Sequence, residues 1–315
     1  DRWVFAGEAS TAGSEVSRST DVPNSNYAYS LRFDANGTVA SDWGSHIRYA
    51  IEGPDLIPLF GKRCVYSFWF KTNKTGTHSI GFSNSNDRTY IAEFTVNSAD
   101  TWEFKEVEVP FDTLSGGTWT TGEGTLGMKI RMNYKVSTAG VGTAGVWNNG
   151  NFVGSVNQVN LYSSTSDYCL MTGIQFHPGT KAQPFVSRPY HEELAACMRY
   201  QQVFDINDFQ RTPVSSVSTA SVVIIQLPLA VPLMRATGGI TETPFLVMNG
   251  TRGTDWILRD AADSANTTGT LQTTMDNTKK FVLLRFNSGT FSAGTLYHIV
   301  FATTTGRLRI NAEIV

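Results

Sequence analysis

The chain has 315 residues, with 25 Lys plus Arg against 27 Asp plus Glu and a net charge of -2, so no global basic field draws in nucleic acid or anionic lipid. Only 17% of residues are charged while Gly, Ser, Thr and Asn abound, which suits turns and uncharged polar surfaces and points to a β-rich protein. The longest apolar run, SVVIIQLPLAVPLM from Ser221, is broken by Pro228 and Pro232, which excludes a transmembrane helix; the chain reads as soluble, without membrane insertion.

The chain opens on Asp-Arg-Trp, with no initiator Met or signal pattern, and so reads as a piece of a longer polypeptide. From Tyr27 the runs YAYSLRFD, HIRYAIE and RCVYSFWFK each end in turn chemistry and predict strands. In CVYSFWFK, alternation puts Val65 and Trp69 on one face and Tyr66, Phe68 and Phe70 on the other, so this strand is apolar on both sides and reads as central. THSIGFSN, RTYIAEFTV and TWEFKEVEVP continue the pattern, and Val107 and Val109 alternating with Glu106 and Glu108 predict one wet face. Between Leu114 and Asn160 Gly, Thr and Asn surround single Trp residues, and only LGMKIRMNYKV reads as a strand. Long irregular connections of this kind often carry function on a rigid β-scaffold.

After the strand-like SDYCLMTGIQFHPG comes PFVSRPYHEELAACMRY, where Tyr190, Leu194, Cys197 and Met198 recur at helical spacing. Pro189 suits the first turn, and Glu192 and Glu193 complement the positive end of the helix dipole, so a short helix is expected at about 189–200. Its apolar stripe is short, which predicts that it lies against the end of the first sandwich. The domain boundary is placed at Asp205: residues 1–205 form a first β-sandwich ending in the helix, and 206–315 a second, smaller antiparallel β-sandwich. The fold class is all-β.

Catalytic signals are sparse. His46, His78, His177, His191 and His298 are scattered, without HExxH or paired-His spacing, and Cys64, Cys169 and Cys197 read as free thiols rather than a disulfide framework or a zinc site. GEGTLG, with Gly122, Gly124 and Gly127, matches a dinucleotide fingerprint in letters only, because it leads into a strand; it reads as a turn. Glu192 with Glu193, the set Glu103, Glu106 and Glu108, and Asp260 with Asp263 do not converge across a scissile bond. No catalytic residue, metal or cofactor is expected. The loop aromatics offer more: Trp43, Trp119, Tyr134 and Trp147, with Asn148 and Asn149, set ring faces beside amides and hydroxyls, which is what neutral sugar recognition needs. The alternative is that each ring plugs the end of the sandwich, the preferred reading for Trp147.

The series TWEFKEVEVPFDTLSGGTW, VWNNGNFVGSVNQVNLY and MTGIQFHPGTKAQPFVSRPYHEELAACMRY resembles a module common in bacteriophage tail fibres and related virion proteins. In that family a jelly-roll, carbohydrate-binding-like domain starts near an Asp-Arg-Trp, as at Asp1, Arg2 and Trp3. It closes on a pattern whose places are held here by Gly173, Gln175, Gly179, Pro184, Phe185, Arg188, Pro189, Glu193, Leu194, Cys197, Arg199 and Tyr200. His177, Pro178 and Gln201 depart from it, and QLPLAVPLMRATGGIT is similar, more loosely, to a segment that often follows. The resemblance implies a virion location on tail or capsid exterior, a homotrimer, host-surface polysaccharide and other virion proteins as partners, and no catalytic residue. Three functions are weighed: multivalent adhesion to glycan, a purely structural capsid-decoration or fibre-adaptor role, and a polysaccharide depolymerase. The last is weakest, because the chain shows no repeat signature of a catalytic β-helix.

Overall fold

The structure is a computed structural model that describes residues 3–7, 14–35, 44–84, 88–110, 119–122 and 125–198. Beyond these it describes the backbone at 201–205, 216–219, 222–228, 245–248, 256–260, 265–266, 270–275, 281–287, 297–301 and 307–311. Contacts divide the chain into two units, Asp1–Ser187 and Arg188–Ile314.

The strands of the first unit are β1 (Trp3–Gly7), β2 (Ser14–Ser19), β3 (Ser30–Ala35), β4 (Gly44–Glu52), β5 (Arg63–Thr72), β6 (Gly76–Ser83), β7 (Arg88–Val96), β8 (Glu103–Pro110), β9 (Leu126–Val136), β10 (Trp147–Asn149) and β11 (Tyr168–Pro178). They form a six-stranded sheet in the order β1-β4-β9-β6-β7-β10 and a five-stranded sheet in the order β2-β3-β11-β5-β8. The named strand pairs are antiparallel, and the chain passes repeatedly from one sheet to the other, which is jelly-roll topology. The eight runs read as strands are all strands. The alternation between faces is as expected on β5 and β8: Tyr66, Phe68, Phe70, Val107 and Val109 face the core, whereas Glu106 and Glu108 are exposed. The polar edge strand SEVSRS (β2) and the three-residue β10 were not read, since neither shows hydrophobic alternation.

Facing side chains interdigitate between the sheets. Phe33 stacks on Tyr134 with ring centroids 3.8 Å apart, Tyr66 meets Phe82 at 5.5 Å, and Phe68 meets Phe94 at 5.1 Å. Each such ring contributes roughly 1.5–3 kcal/mol through removal of its surface from water. Gly127 lies in β9 and the Gly122 carbonyl accepts the N–H of Thr125, so GEGTLG leads into a strand and opens no helix. Cys64 and Cys169 are buried free thiols and Cys197 is a half-buried one.

The connection after β9 folds over the outer face of the six-stranded sheet. Gly81 makes this possible, because a Cβ there would stand 2.8 Å from the Val153 carbonyl oxygen. Gln158 Oε1 accepts the N–H and hydroxyl of Ser79, Thr89 donates to the Gly150 carbonyl, and the Asn133 amide donates to that of Val153.

A four-residue helix, α1 (Gly53–Leu56), follows β4. The expected helix is α2 (Tyr190–Met198), started by the Pro189 carbonyl, which accepts the N–H groups of Glu192 and Glu193 at 3.0 and 3.2 Å. None of its side chains is buried and Tyr190 is 80% exposed. The helix also falls on the far side of the division at Ser187, which precedes the expected boundary at Asp205. The strand after it, β12 (Gln201–Asp205), pairs with β21 (Arg307–Asn311), tying residues 201–205 to the C-terminal section. The second, smaller unit is also antiparallel β: β21 joins β12 to β15 (Phe245–Met248). The strands β13 (Ser216–Thr219), β14 (Val222–Pro228), β19 (Phe281–Asn287) and β18 (Thr270–Met275) form another sheet, and β17 (Ala265–Asn266), β16 (Trp256–Asp260) and β20 (Tyr297–Phe301) a third. Among the described residues no helix is long and apolar enough to cross a membrane.

Two histidines are buried neutral. His78 lies between Phe70 and Phe94, at 5.3 and 5.5 Å, and burial pushes it down to about 4 against its bond to the Lys74 carbonyl. His46 is pushed down to about 3 by burial and then by Arg131, Arg48 and Lys129. The unfolded chain binds these protons near the ordinary value of about 6.5, so it takes up more protons than the native state as pH falls below neutrality, and stability falls with it. Calorimetry should show a lower melting temperature at about pH 5 than at about pH 7, a window above most carboxylate titration. A flat or rising melting temperature would contradict the burial of uncharged His46 and His78.

Candidate functional site

The structure brings four of the six sequence candidates together. Trp119 and Trp147 meet edge to face at 5.6 Å, Phe60 closes on Trp119 at 6.3 Å, and Tyr90 lies 5.5 Å from Trp147. Both indoles are half-buried and packed against the core, and Trp147 Nε1 donates to the Pro110 carbonyl at 2.7 Å. They therefore close the seam between edge strand β10 of one sheet and the end of edge strand β8 of the other. The neighbouring amides are engaged internally. Asn148 Oδ1 accepts the Thr143 N–H and its Nδ2 donates to the Thr143 and Val146 carbonyls, while Asn149 Oδ1 accepts from Arg88 at 2.5 Å.

Tyr134 is corrected outright. It is 1% exposed and stacked on Phe33 in the core, so its ring presents no face to a ligand; a strand with period-two alternation turned it inward. Trp43 lies outside the described residues.

A different aromatic surface lies on the outer face of the five-stranded sheet. Register places Thr172, Trp69 and Phe104 side by side across β11, β5 and β8. Trp69 and Phe104 touch at 5.4 Å, edge to face, and Phe104 is 44% exposed. The row continues through Tyr27, whose hydroxyl accepts the Trp69 indole N–H at 3.2 Å, and Tyr29, whose carbonyl accepts the Thr172 hydroxyl at 2.8 Å and whose ring is 49% exposed. Gly173 permits this: it sits at the β11 bulge with φ +63, and a Cβ there would stand 2.7 Å from the Tyr27 ring.

Ion pairs frame the rings. Lys71 Nζ is 2.7 Å from Asp21 Oδ2, and Trp102 donates to the other Asp21 oxygen at 2.9 Å. Arg32 grips Asp34 through two bonds of 2.7 and 2.6 Å. The bond from Lys71 holds the Asp21 carboxyl below its ordinary range, against partial burial and with help from Trp102. The patch was legible in RCVYSFWFK as a strand apolar on both faces. A central position implied burial of both, and on the outer face Val65 and Ser67 are indeed buried, whereas Trp69 and Lys71 further along the strand are part-exposed.

Two of the candidate acid groups, Glu103 and Glu106, are held ionised. Burial opposes ionisation of Glu103, but the Lys105 ammonium and the backbone N–H groups of Ser98 and Asn97 outweigh it and hold the carboxyl down to about 2. Glu106 is lowered by Lys181 and the Ala182 N–H, and Glu108 pairs with Arg63 at 3.0 Å. Asn84 Oδ1 accepts the Arg88 N–H, and the Asp34 carboxylate is taken by Arg32. Among the described residues no group of three or more His, Cys, Asp and Glu side chains could hold a metal ion.

No family model matches this chain and no curated protein sequence matches it. Among solved structures it is similar to the enzymatically active domain of tailspike protein 4 of bacteriophage CBA120, at 13% identity and a TM-score of 0.34, over 56% of this chain. The chain spans 19% of that protein's length. It is also similar to a family 11 carbohydrate-binding module from Clostridium thermocellum in complex with a mixed-linked tetrasaccharide (14% identity, TM-score 0.30, 55% of this chain and 86% of that one). A third is TmCBM61 in complex with β-1,4-galactotriose (11% identity, TM-score 0.31, 56% and 88%). With scores this low, the fold assignment rests on the strand order and register above.

Replacing Tyr134 by Ala should cost about 3–5 kcal/mol in urea denaturation, as expected for an aromatic side chain removed from a packed core. A midpoint unchanged from wild type would show that the ring does not carry the core.

Proposed function

We propose that the first unit is a non-enzymatic saccharide-binding module of a phage virion protein, which holds host-surface glycan against the outer face of the five-stranded sheet. The observation that carries this reading is the part-exposed row of Trp69, Phe104, Tyr27 and Tyr29, with Arg18 4.3 Å over the Tyr29 ring and the Asp21 to Lys71 and Arg32 to Asp34 pairs around it. Sugars present C–H faces that pack on rings and hydroxyls that need donors and acceptors, and this face supplies both. Such a patch binds weakly alone. Repetition in a homotrimeric tail fibre, spike or head fibre on the virion exterior raises avidity through effective concentration. A glycosidase needs one carboxyl held protonated beside an ionised partner, whereas Glu103 and Glu106 are both held low, which favours binding over cleavage.

One observation favours the structural alternative, a capsid-decoration or fibre-adaptor protein whose partners are other virion subunits. The chain's own segment after β11 already uses this face: Lys181 pairs with Glu106 at 3.0 Å, Gln175 donates to the Gln183 carbonyl, and Phe185 rests 5.2 Å from Tyr27. A face that grips one polypeptide can grip another.

A glycan array followed by titration of the retained polysaccharide separates the two. Trp69→Ala should weaken binding about tenfold, the scale of one lost aromatic contact, with the circular dichroism of the sandwich unchanged. Retention of a virion subunit with no glycan retained would replace adhesion by the structural role, and shortened polysaccharide chains after incubation would replace it by hydrolysis.

A further inference from the structure

Past the end of β11 the chain turns back at Gly179, and residues 181–185 cross the outer face of the five-stranded sheet between β8 and β11. Lys181 Nζ and the Ala182 N–H donate to the two oxygens of Glu106 on β8, at 3.0 and 3.1 Å. The Gln183 carbonyl accepts from Gln175 Nε2 on β11 at 3.0 Å, and the Gln183 N–H donates to His177 Nε2 at 3.3 Å. Register places Ser67 of β5 directly between Gln175 and Glu106, so this strap passes over it.

The strap is lightly held. The Lys181 side chain is 81% exposed and Gln183 and Phe185 are exposed, so its polar contacts stand in water, where such pairs contribute little. It also leaves one group beneath it unsatisfied: the Ser67 hydroxyl is buried and makes no hydrogen bond. Tyr66 and Phe68 face the core, so Ser67 points outward, toward the strap. A buried hydroxyl without a partner costs stability, and Ala at this position would avoid that cost.

The bonds that the strap does make have the pattern of a pyranose. Glu106 takes two donors, one on each oxygen, as it would take two vicinal hydroxyls; Gln175 donates to an oxygen; and Tyr27 holds the Phe185 ring, 5.2 Å away, as it would hold a sugar's C–H face. Lys181 and then the Ala182 N–H hold Glu106 low, so it is an acceptor only.

We propose that Ser67, Gln175 and Glu106 form a subsite for the vicinal hydroxyls of a neutral pyranose, filled in the free protein by the strap of residues 181–185, which the sugar displaces. Ser67 lies two residues from Trp69 on the same face of β5, about 7 Å along the strand, so a ring held at Trp69 reaches it with a hydroxyl. That hydroxyl gives Ser67 the partner the strap does not supply. The subsite rests on the saccharide-binding reading and narrows it to uncharged sugars, since a uronate would bring its carboxylate against that of Glu106.

The test is an amide chemical-shift titration with β-1,4-galactotetraose, cellotetraose and tetragalacturonate. A neutral tetraose should shift Ala182, Gln183 and Phe185 together with Trp69, and tetragalacturonate should bind about tenfold more weakly. Ser67→Ala should weaken the neutral tetraose about fivefold, the scale of one hydrogen bond, and yet melt no lower than wild type, because its hydroxyl has no partner to lose. Lys181→Ala, which loosens the strap and spares the sheet, should bind about threefold more tightly. The subsite is overturned if a tetraose shifts Trp69 and Phe104 with Ala182 and Gln183 unmoved, if Ser67→Ala binds as wild type, or if tetragalacturonate binds as tightly as the neutral sugars; the saccharide reading survives each of these. Weaker binding by Lys181→Ala would make the strap part of the site and overturn its displacement. If none of the three sugars moves any amide of the five-stranded sheet, the subsite and the saccharide reading fall together.

Discussion

The first unit depends on aromatic interdigitation between its two sheets. Phe33 on Tyr134, Tyr66 against Phe82 and Phe68 against Phe94 set the depth of the sandwich and fix the register of every strand that carries them. A one-residue slip in any of these strands would turn its rings to solvent and its polar residues inward, so the packing specifies a single register. The outward faces follow from that choice. Once Tyr66, Phe68 and Phe70 point inward, Trp69 and Lys71 must point outward, and once Ile130 and Met132 are buried, Lys129 and Arg131 must share the other surface.

The two outer faces are different in kind. That of the five-stranded sheet is aromatic with charges paired at its margins, suited to neutral rings and hydroxyls. That of the six-stranded sheet is partly plated by the segment after β9, whose backbone carbonyls at Gly150, Phe152 and Val153 hold Thr89, Arg131 and Asn133. The Trp119 and Trp147 pair belongs to neither face, since it closes the edge between them.

Much of the fold was legible because alternation in a sandwich is a direct record of burial. RTYIAEFTV and LGMKIRMNYKV could be placed as strands from the spacing of Tyr90, Ala92, Phe94, Ile130 and Met132 alone. SEVSRS could not, because an edge strand with both faces wet carries no such record. The site was harder to read. Aromatic residues among Asn and Gly suggest ligand platforms, but Tyr134 obeys its strand and Trp147 is drawn to the seam, and no local string distinguishes a plug from a platform. The part-exposed rings, Trp69 and Phe104, meet only through pairing of β5 with β8. Separations of this kind become neighbours by register, which hydrophobic spacing within one strand does not report.

The central claim is that glycan is held on the five-stranded sheet, and the indole N–H groups report on it directly. The chain has seven Trp residues. In a titration of indole-labelled protein with host-surface polysaccharide, the Trp69 N–H, bonded to the Tyr27 hydroxyl, should shift while those of Trp119 and Trp147 stay in place. Movement of the Trp119 and Trp147 signals with Trp69 unmoved would contradict the account and return the site to the sandwich edge.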